Sequence, residues 1–126
     1  IAIGDIDFFK KVNDTYGHNC GDQVLTDLAK LFKEKTLGLG HVCRWGGEEF
    51  LFFFPGLNLD EASTLINNIR LAVSDLTIVY KDVSLHVTMT FGLEEYDYHS
   101  TLSEMVKHAD DKLYYGKTHG RDTVIF

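Results

Sequence analysis

One stretch of sequence decides the fold of this chain: Arg44-Trp45-Gly46-Gly47-Glu48-Glu49-Phe50-Leu51-Phe52-Phe53-Phe54. A Gly-Gly pair joins two runs that are typical of β-strands, residues 41–45 and 49–54. The pair predicts a hairpin with a tight primed turn, in which both glycines take positive φ. Two carboxylates follow the turn and precede a very apolar strand. We therefore interpret them as holding a metal or a proton, with an exposed acidic turn as the alternative.

Composition limits the possible classes of protein. At 126 residues, 44% of them hydrophobic, the chain is long enough for one domain with a single core. Its 19 acidic and 12 basic residues argue against sequence-independent binding to nucleic acid. No apolar stretch approaches the length of a membrane span and no signal peptide is visible, so we expect no membrane contact. Cys20 and Cys43 lack metal-type spacing, which predicts free thiols in a reducing, cytoplasmic compartment.

The hydrophobic periodicity predicts the elements outside the hairpin. We expect helices over 8–16, from Gly21 onward, after a cap at Asn58 or Asp60, and over 102–117. We expect strands over 1–8, 76–80, 83–93 and 123–126. This order predicts an α+β fold with a central, mostly antiparallel sheet flanked by helices.

The first predicted strand carries two carboxylates on one face. Because side chains alternate along a strand, Asp5 and Asp7 share the face of Ile1 and Ile3. A carboxylate there must be paired, hydrogen-bonded or bound to a cation. For Asp7 we expect local capping of the following helix. Asp5 would bind magnesium together with Glu48 if their strands are neighbours in the sheet.

Four blocks of sequence, in order, resemble the GGDEF domains, the diguanylate cyclases of bacterial signalling. They are Asp-Ile-Asp-Phe-Phe-Lys-Lys-Val-Asn-Asp at 5–14, Tyr-Gly-His with Gly-Asp at 16–22, Gly-Gly-Glu-Glu-Phe at 46–50, and Ala-Asp through Lys and Gly-Arg at 109–121. The third block is the common GGEEF form of the family signature. Together the blocks cover nearly the whole chain.

The resemblance implies a ferredoxin-like, palm-type nucleotidyl cyclase fold and a specific reaction. Such domains condense two GTP into cyclic di-GMP and two pyrophosphates, with Mg²⁺ or Mn²⁺. They act as a twofold homodimer with one GTP per domain. We expect residues 1–126 to be one catalytic domain that lacks its usual N-terminal segment and an upstream sensor domain. It would lie in the cytoplasm, free or as part of a membrane-anchored protein.

The resemblance also assigns roles to individual residues. The metal ligands are Asp5, Glu48 and the backbone carbonyl of Ile6, with assistance from Glu49. Glu48 also accepts the proton of the attacking hydroxyl, and Lys10 stabilises charge in the transition state. The substrate-binding positions are Asn13, His18 and Asp22 near guanine, Gly46 and Gly47 in the turn, and Lys117 and Arg121 on the triphosphate. Without the resemblance, helix caps, a turn histidine and solvated cations are the plainer interpretations.

Three positions depart from the family pattern. Leu37 and Gly40 occupy the places of an Arg-x-x-Asp inhibitory site, so we expect no product feedback by that route. Asp122 follows Gly-Arg where the family often has Asn. Two further functions stay open: a silent module that binds GTP or a protein partner, and an ATP-using palm cyclase. The Asn13 and Asp22 pair disfavours the second.

Overall fold

The computed structural model describes residues 1–126 and confirms the α+β class. The strands are β1 Ala2–Ile6, β2 His41–Arg44, β3 Glu49–Phe53, β4 Ile78–Tyr80, β5 Val83–Leu85, β6 Met89–Leu93 and β7 Val124–Ile125. The helices are α1 Phe9–Tyr16, α2 His18–Thr36, α3 Leu59–Asp75 and α4 Leu102–Thr118. Five strands form one sheet in the order β2-β3-β1-β6-β7, and β7 alone runs parallel to its neighbour. β4 and β5 pair as a separate small sheet.

The two faces of the main sheet bury different sets of side chains. On one face, α2 and α3 cover an aromatic core in which Phe32 contacts Phe52 edge-to-face, with ring centroids 5.1 Å apart. On the other face, α4 covers a smaller cluster that includes Ile3 and Leu113. Alternation along β1 explains this division, because Ala2 and Ile6 point to the first face and Ile3 to the second.

Capping residues fix the starts of the two long C-terminal helices. The Asn58 side chain accepts from the backbone N–H of Glu61 at 2.9 Å, and the Glu61 side chain accepts from the N–H of Asn58 at 3.1 Å. Thr101 and Glu104 form the same reciprocal pair at the start of α4. Each capping box satisfies two backbone donors that the first turn leaves without partners. Of the two caps expected for α3, the structure selects Asn58.

Two predicted boundaries are wrong. α2 begins at His18, three residues before Gly21, because Gly17 turns the chain with φ of 92° and the next helix follows at once. The strand predicted over 83–93 is interrupted at residues 86–88. There the backbone leaves the small sheet, and the carbonyl of Thr88 accepts from the N–H of Asp7 instead.

Two predictions from the sequence concern the two cysteines and membrane-spanning segments. Cys20 is buried and Cys43 is exposed, and both are free thiols, as expected. None of the helices has the length and hydropathy needed to cross a bilayer.

Close packing of α4 on the sheet depends on Gly92 in β6. A Cβ at this position would collide with the carbonyl oxygen of Ala109 and lie 2.5 Å from the backbone nitrogen of Leu113. Both atoms belong to the helix backbone and cannot rotate away. The absence of a side chain therefore sets the distance between α4 and the sheet.

We predict that Gly92→Ala lowers the free energy of unfolding by about 1–3 kcal/mol, because the added methyl group overpacks this contact. Urea denaturation measures the change. Gly47→Ala is the matched control, since a Cβ there meets no atom within 4 Å, and we expect a change within about 0.5 kcal/mol. Equal stability of the two variants would contradict the close-packing explanation.

Candidate active site

The predicted acidic residues meet at one end of the main sheet, where β1 ends and β3 begins. β1 and β3 are antiparallel neighbours, and Asp5 lies directly opposite Glu49 in their register. One residue further, the backbone N–H of Ile6 donates to the carbonyl of Glu48 at 3.3 Å. The end of β1 and the start of β3 are therefore adjacent. This adjacency is the condition under which we expected Asp5 and Glu48 to act together.

Two adjoining clefts gather most of the predicted site residues. The first, about 550 Å³, is lined by Phe9, Lys10, Asn13, Asp14, His18, Asp22, Leu25, Arg44, Gly47 and Glu48. The second, about 650 Å³, is lined by Asp5, Ile6, Phe8, Phe9, Lys10, Lys11, Asp14, Glu48, Lys117 and Arg121. Both volumes are in the range of small-molecule sites. Lys10 and Glu48 line both clefts, so they stand where the two meet. Gly46 and Glu49 line neither.

Burial and the crowding of carboxylates raise two pKa values in the cluster. Burial, and then the negative charge of Asp5, raise the pKa of Glu48 to about 7. Burial, followed by the charges of Asp5 and Asp110, also raises the pKa of Glu49. Because Glu49 faces Asp5 directly, it belongs to the same cluster rather than to the opposite face of the sheet.

The chemistry of this cluster fits a hard divalent cation. Carboxylate and carbonyl oxygens are the ligands that Mg²⁺ and Mn²⁺ prefer. No group of three or more His, Cys, Asp or Glu side chains is arranged to hold an ion by itself. Magnesium commonly takes one or two protein carboxylates and completes its shell with water and substrate phosphate. Asp5, Glu48 and the carbonyl of Ile6 would supply such a partial set.

Asn13 lines the first cleft and carries an unpaired polar atom. Its side-chain oxygen is buried and has no hydrogen-bond partner. Gly21 packs so closely that a Cβ there would collide with this oxygen. The oxygen therefore packs against Gly21 of α2, which fixes the Asn13 side chain at the wall of the cleft. Asn13, His18 and Asp22 line the same cleft and leave it open for a planar, hydrogen-bonding group.

Asp7 does not cap the following helix, and that prediction is wrong. Its Oδ1 accepts from the Thr90 hydroxyl and the Lys117 ammonium, both at 2.7 Å. Its Oδ2 accepts from the Thr88 hydroxyl at 2.7 Å and from the backbone N–H of Asp122 at 3.0 Å. Burial raises the pKa of Asp7, but the hydrogen bonds from Lys117, Thr88 and Thr90 outweigh it and lower the pKa below its usual value.

The cations of the second cleft are held in place by neighbouring groups. The Lys117 ammonium lies 3.0 Å from Asp5 Oδ1, in addition to its contact with Asp7. The guanidinium carbon of Arg121 lies 4.6 Å from the centre of the Phe8 ring. This distance is within the range of a cation–π contact. Lys117 and Arg121 therefore both face the cleft, from α4 and from the loop that follows it.

The Gly-Gly turn differs from the prediction. Neither Gly46 nor Gly47 has positive φ, and four residues, 45–48, separate the two strands. The Arg44 guanidinium holds this longer loop, because its Nε donates to the Gly46 carbonyl at 3.2 Å and its Nη2 to the Gly47 carbonyl at 2.7 Å. A side-chain clamp replaces the primed turn. The glycines leave open space beside the cleft, since a Cβ on Gly47 would meet nothing within 4 Å.

Comparison with known proteins identifies the family. The family profile described as "Diguanylate cyclase, GGDEF domain" matches residues 1–123. The chain belongs to the GGDEF family. Diguanylate cyclase A of Treponema denticola is 37% identical over 125 residues, which make up 98% of this chain and 34% of that protein. Response regulator PleD of Caulobacter vibrioides is 36% identical over 124 residues, 96% of this chain and 27% of that protein. The chain thus spans 34% or less of these two relatives.

Solved GGDEF structures share the fold of this domain. Diguanylate cyclase SiaD of Pseudomonas aeruginosa, solved with its activator SiaC, matches with a TM-score of 0.95 and 38% identity. That match covers 99% of this chain and 48% of the SiaD chain. The GGDEF domain of DgcB from Caulobacter crescentus, in complex with c-di-GMP, matches with a TM-score of 0.93 and 31% identity over 98% of this chain and 74% of that one. The cyclase-type fold expected from the resemblance is confirmed.

The three positions that depart from the GGDEF pattern differ in their surroundings. Leu37 is 80% exposed, and a Cβ on Gly40 would collide with the carbonyl oxygen of Phe53. An aspartate at position 40 would therefore require the neighbouring hairpin to move. Asp122, at the position where the family often has Asn, forms an ion pair of 2.8 Å with Arg70 of α3.

Sequence reasoning missed four groups around the site in this GGDEF domain. Arg44 clamps the hairpin loop, Arg70 pairs with Asp122, and Thr88 and Thr90 bind Asp7. Only the threonines could have been suspected from the sequence. Thr88 and Thr90 alternate with apolar residues in the strand predicted over 83–93, which places both on its polar face. Buried Asp7 needed donors, but the sequence offers no way to tell which distant residues supply them.

We predict that Asp7→Asn lowers the free energy of unfolding at pH 7 by about 1.5–3 kcal/mol, because hydrogen bonds to a buried charge are lost. The pKa of Asp7 is lower in the folded state, so its contribution is present above the unfolded pKa of about 4 and is lost as the pH falls through the folded pKa. The difference between wild type and variant should therefore shrink in acid. Urea denaturation at pH 7 and pH 3 measures it. A difference that does not change with pH would show that Asp7 is not held ionised.

We predict that Glu48→Gln stabilises the protein at pH 8 when divalent metal is absent. The folded pKa of Glu48 lies at about 7, above its ordinary value of 4.5, so wild-type stability falls as the pH rises between these values. Because Glu48 is only partly buried, we expect a gain of about 1 kcal/mol or less. Melting temperatures in EDTA at pH 5 and pH 8 measure it, with the exposed Glu95→Gln as the control. Lower stability of Glu48→Gln at pH 8 would contradict the crowding of carboxylates.

Proposed function

We propose that this GGDEF domain is a diguanylate cyclase that condenses two GTP molecules into cyclic di-GMP and two pyrophosphates. The observation that carries the proposal is the junction of the two clefts at Lys10 and Glu48. One cleft presents amide and carboxylate groups, and the other presents cations beside carboxylates. A nucleotide has a base at one end and a polyphosphate at the other, and this pair of clefts matches that division.

We assign the first cleft to guanine. Guanine needs an acceptor for its N1 and N2 hydrogens and a donor for O6. Asp22 and the amide of Asn13, which line this cleft, supply both kinds of group. Adenine has no hydrogen on N1 and no amino group at C2, so it cannot donate to this pair as guanine can. His18 lies at the edge of the same cleft, close to the base or the sugar.

We assign the second cleft to the triphosphate. Lys117 and Arg121 supply two positive charges, and Lys10 supplies a third where the clefts meet. A divalent cation held by Asp5, Glu48 and the Ile6 carbonyl would neutralise the charge that develops on the phosphoryl group during transfer. Magnesium or manganese meets this requirement.

The reaction forms one bond and breaks another at each α-phosphorus. The 3′-oxygen of one GTP bonds to the α-phosphorus of the other, and the bond from that phosphorus to the leaving pyrophosphate breaks. Glu48 accepts the hydroxyl proton, a task suited to a carboxylate whose pKa is about 7. Each domain holds one GTP, so two domains must face each other around a twofold axis. A single domain would bind substrate without completing the reaction.

The relatives support this proposal and its setting. Diguanylate cyclase A carries the activity in its name, and the DgcB domain was solved with c-di-GMP. Because those proteins are longer than this chain, we propose that a sensor or regulatory domain controls the cyclase in the full-length protein. A reducing cytoplasm would supply GTP and keep both cysteines free.

We predict that the full-length protein, incubated with GTP and Mg²⁺, forms cyclic di-GMP and that Glu48→Gln lowers the rate about 100-fold or more. Chromatography of the products measures the rate of cyclic di-GMP formation.

The rate per domain should rise with protein concentration in the dilute range, because the dimer is the active form. Excess ATP should compete poorly with GTP, and Asp22→Ala should weaken that preference.

Two outcomes would contradict the proposal. Tight binding of GTP without product, in a protein shown to be dimeric, would favour a silent GTP-binding module. Formation of a cyclic product from ATP at the rate of GTP would favour another palm-type cyclase. Glu48→Gln should still bind GTP, and this control distinguishes lost chemistry from lost folding.

A further inference from the structure

The loop after α4 has an unusual backbone conformation. Gly120, Arg121 and Asp122 have consecutive φ values of 105°, 58° and 44°. Glycine adopts positive φ readily, but two neighbouring non-glycine residues in this region are strained. Such strain persists only where surrounding contacts over-determine the backbone. The contacts that hold this loop must therefore be found outside it.

Asp122 anchors the loop to two separate elements. On one side, Arg70 of α3 donates from Nη1 to Asp122 Oδ1 at 2.8 Å and to the Asp122 carbonyl at 3.2 Å. On the other side, the backbone N–H of Asp122 donates to Asp7 Oδ2 at 3.0 Å. Arg70 is itself oriented by Asn67, whose Oδ1 accepts from Arg70 Nε at 3.1 Å. The Arg70 side chain is 18% exposed, so solvent screens this pair less than an open surface pair.

The anchored loop determines where Arg121 can reach. Its neighbour Asp122 is fixed on both sides, and the N–H of Arg121 donates to the Gly116 carbonyl at 3.0 Å. With the backbone held, the guanidinium lies over Phe8 at the rim of the second cleft. Phe8 is 60% exposed, so this contact leaves the arginine open to solvent. The loop conformation brings Arg121 to the cleft, and the contact with Phe8 orients its guanidinium there.

We propose that Arg70 and Asp122 are positioning residues that hold Arg121 for contact with the polyphosphate of the nucleotide. The inference rests on the proposed function for the identity of the ligand. Neither residue lines the cleft, and both act through the loop. In this chain the side chain at position 122 is a carboxylate rather than the amide common in the family, so its contact with Arg70 is ionic. Position 70 in α3 thereby controls affinity for phosphate from outside the site.

The test compares ligands that differ only in phosphate number. Affinities for GTP and GMP are measured with Mg²⁺ by calorimetry in the Glu48→Gln background, which should bind GTP without turnover, alone and combined with Arg70→Met, Asp122→Asn or Asp122→Gly. Asp122→Gly tolerates the positive φ and removes the side chain, whereas Asp122→Asn keeps an oxygen that can accept from Arg70. Lys107→Met is the matched control, because it removes one positive charge from an exposed pair with Asp111.

We expect Arg70→Met and Asp122→Gly to weaken GTP binding roughly fivefold or more, with GMP affinity changed by less than about twofold. Asp122→Asn should lose less, and Lys107→Met should match Glu48→Gln alone. In an Arg121→Ala background, Arg70→Met should have no further effect, because the residue through which it acts is gone. Amide hydrogen exchange at residues 121 and 122 should speed up in Arg70→Met without any ligand.

Three results would overturn the inference: equal losses for GTP and GMP, an undiminished effect of Arg70→Met in the Arg121→Ala background, or unchanged exchange at residues 121 and 122. Each would leave the Arg70–Asp122 pair as a stabilising contact only. The proposed function fails independently, if wild type binds GTP without forming product or does not bind it. If GTP binds without forming product, the ratio of GTP to GMP affinities still tests the roles of Arg70 and Asp122. If GTP does not bind, the exchange rates at residues 121 and 122 test whether the pair holds the loop.

Discussion

The carboxylate of Asp7 is the interaction on which the functional end of this domain depends. An ionised carboxylate without solvent contact is very unfavourable unless its lone pairs are all satisfied. Its four donors come from Thr88 and Thr90, from Lys117 in α4, and from the backbone of Asp122. One charge just after β1 therefore requires the start of β6, a helix and a loop to be in place together. The placement of Lys117 and of the loop that carries Arg121 follows from this arrangement.

Carboxylates that are neighbours at the end of β1 have pKa values shifted in opposite directions. The pKa of Asp7 is lowered by dedicated donors, whereas the pKa of Glu48 is raised to about 7 by burial and by Asp5. Divergence of this kind separates a carboxylate that maintains structure from one that can exchange protons or bind a cation. Lys117 links the two environments, because its ammonium contacts both Asp5 and Asp7. A structural ion pair and a reactive acidic cluster thus share one cation.

Local patterns in the sequence were sufficient for most of the fold and for part of the site. Amphipathic periodicity and a cap at Asn58 or Asp60 predicted the third helix, and alternation put Asp5 and Asp7 on one face of the first predicted strand. The turn at Gly46 could not be predicted from the pair of glycines, because the Arg44 side chain clamps a longer loop. The partners of Asp7 lie 81 to 115 residues away in the chain, and no local pattern encodes such distances.

The two halves of the site consequently differ in how they are encoded. Asn13 and Asp22 sit on α1 and α2, two helices consecutive in sequence, and the contact of Gly21 with Asn13 fixes their spacing locally. The half that we propose for the polyphosphate is assembled from β1, α4 and a strained loop, with Arg70 of α3 behind it. Under that proposal, substitutions far from the cleft would alter this half and leave the half formed by α1 and α2 intact. Arg70 is the route, because its ion pair with Asp122 joins α3 to the loop that carries Arg121.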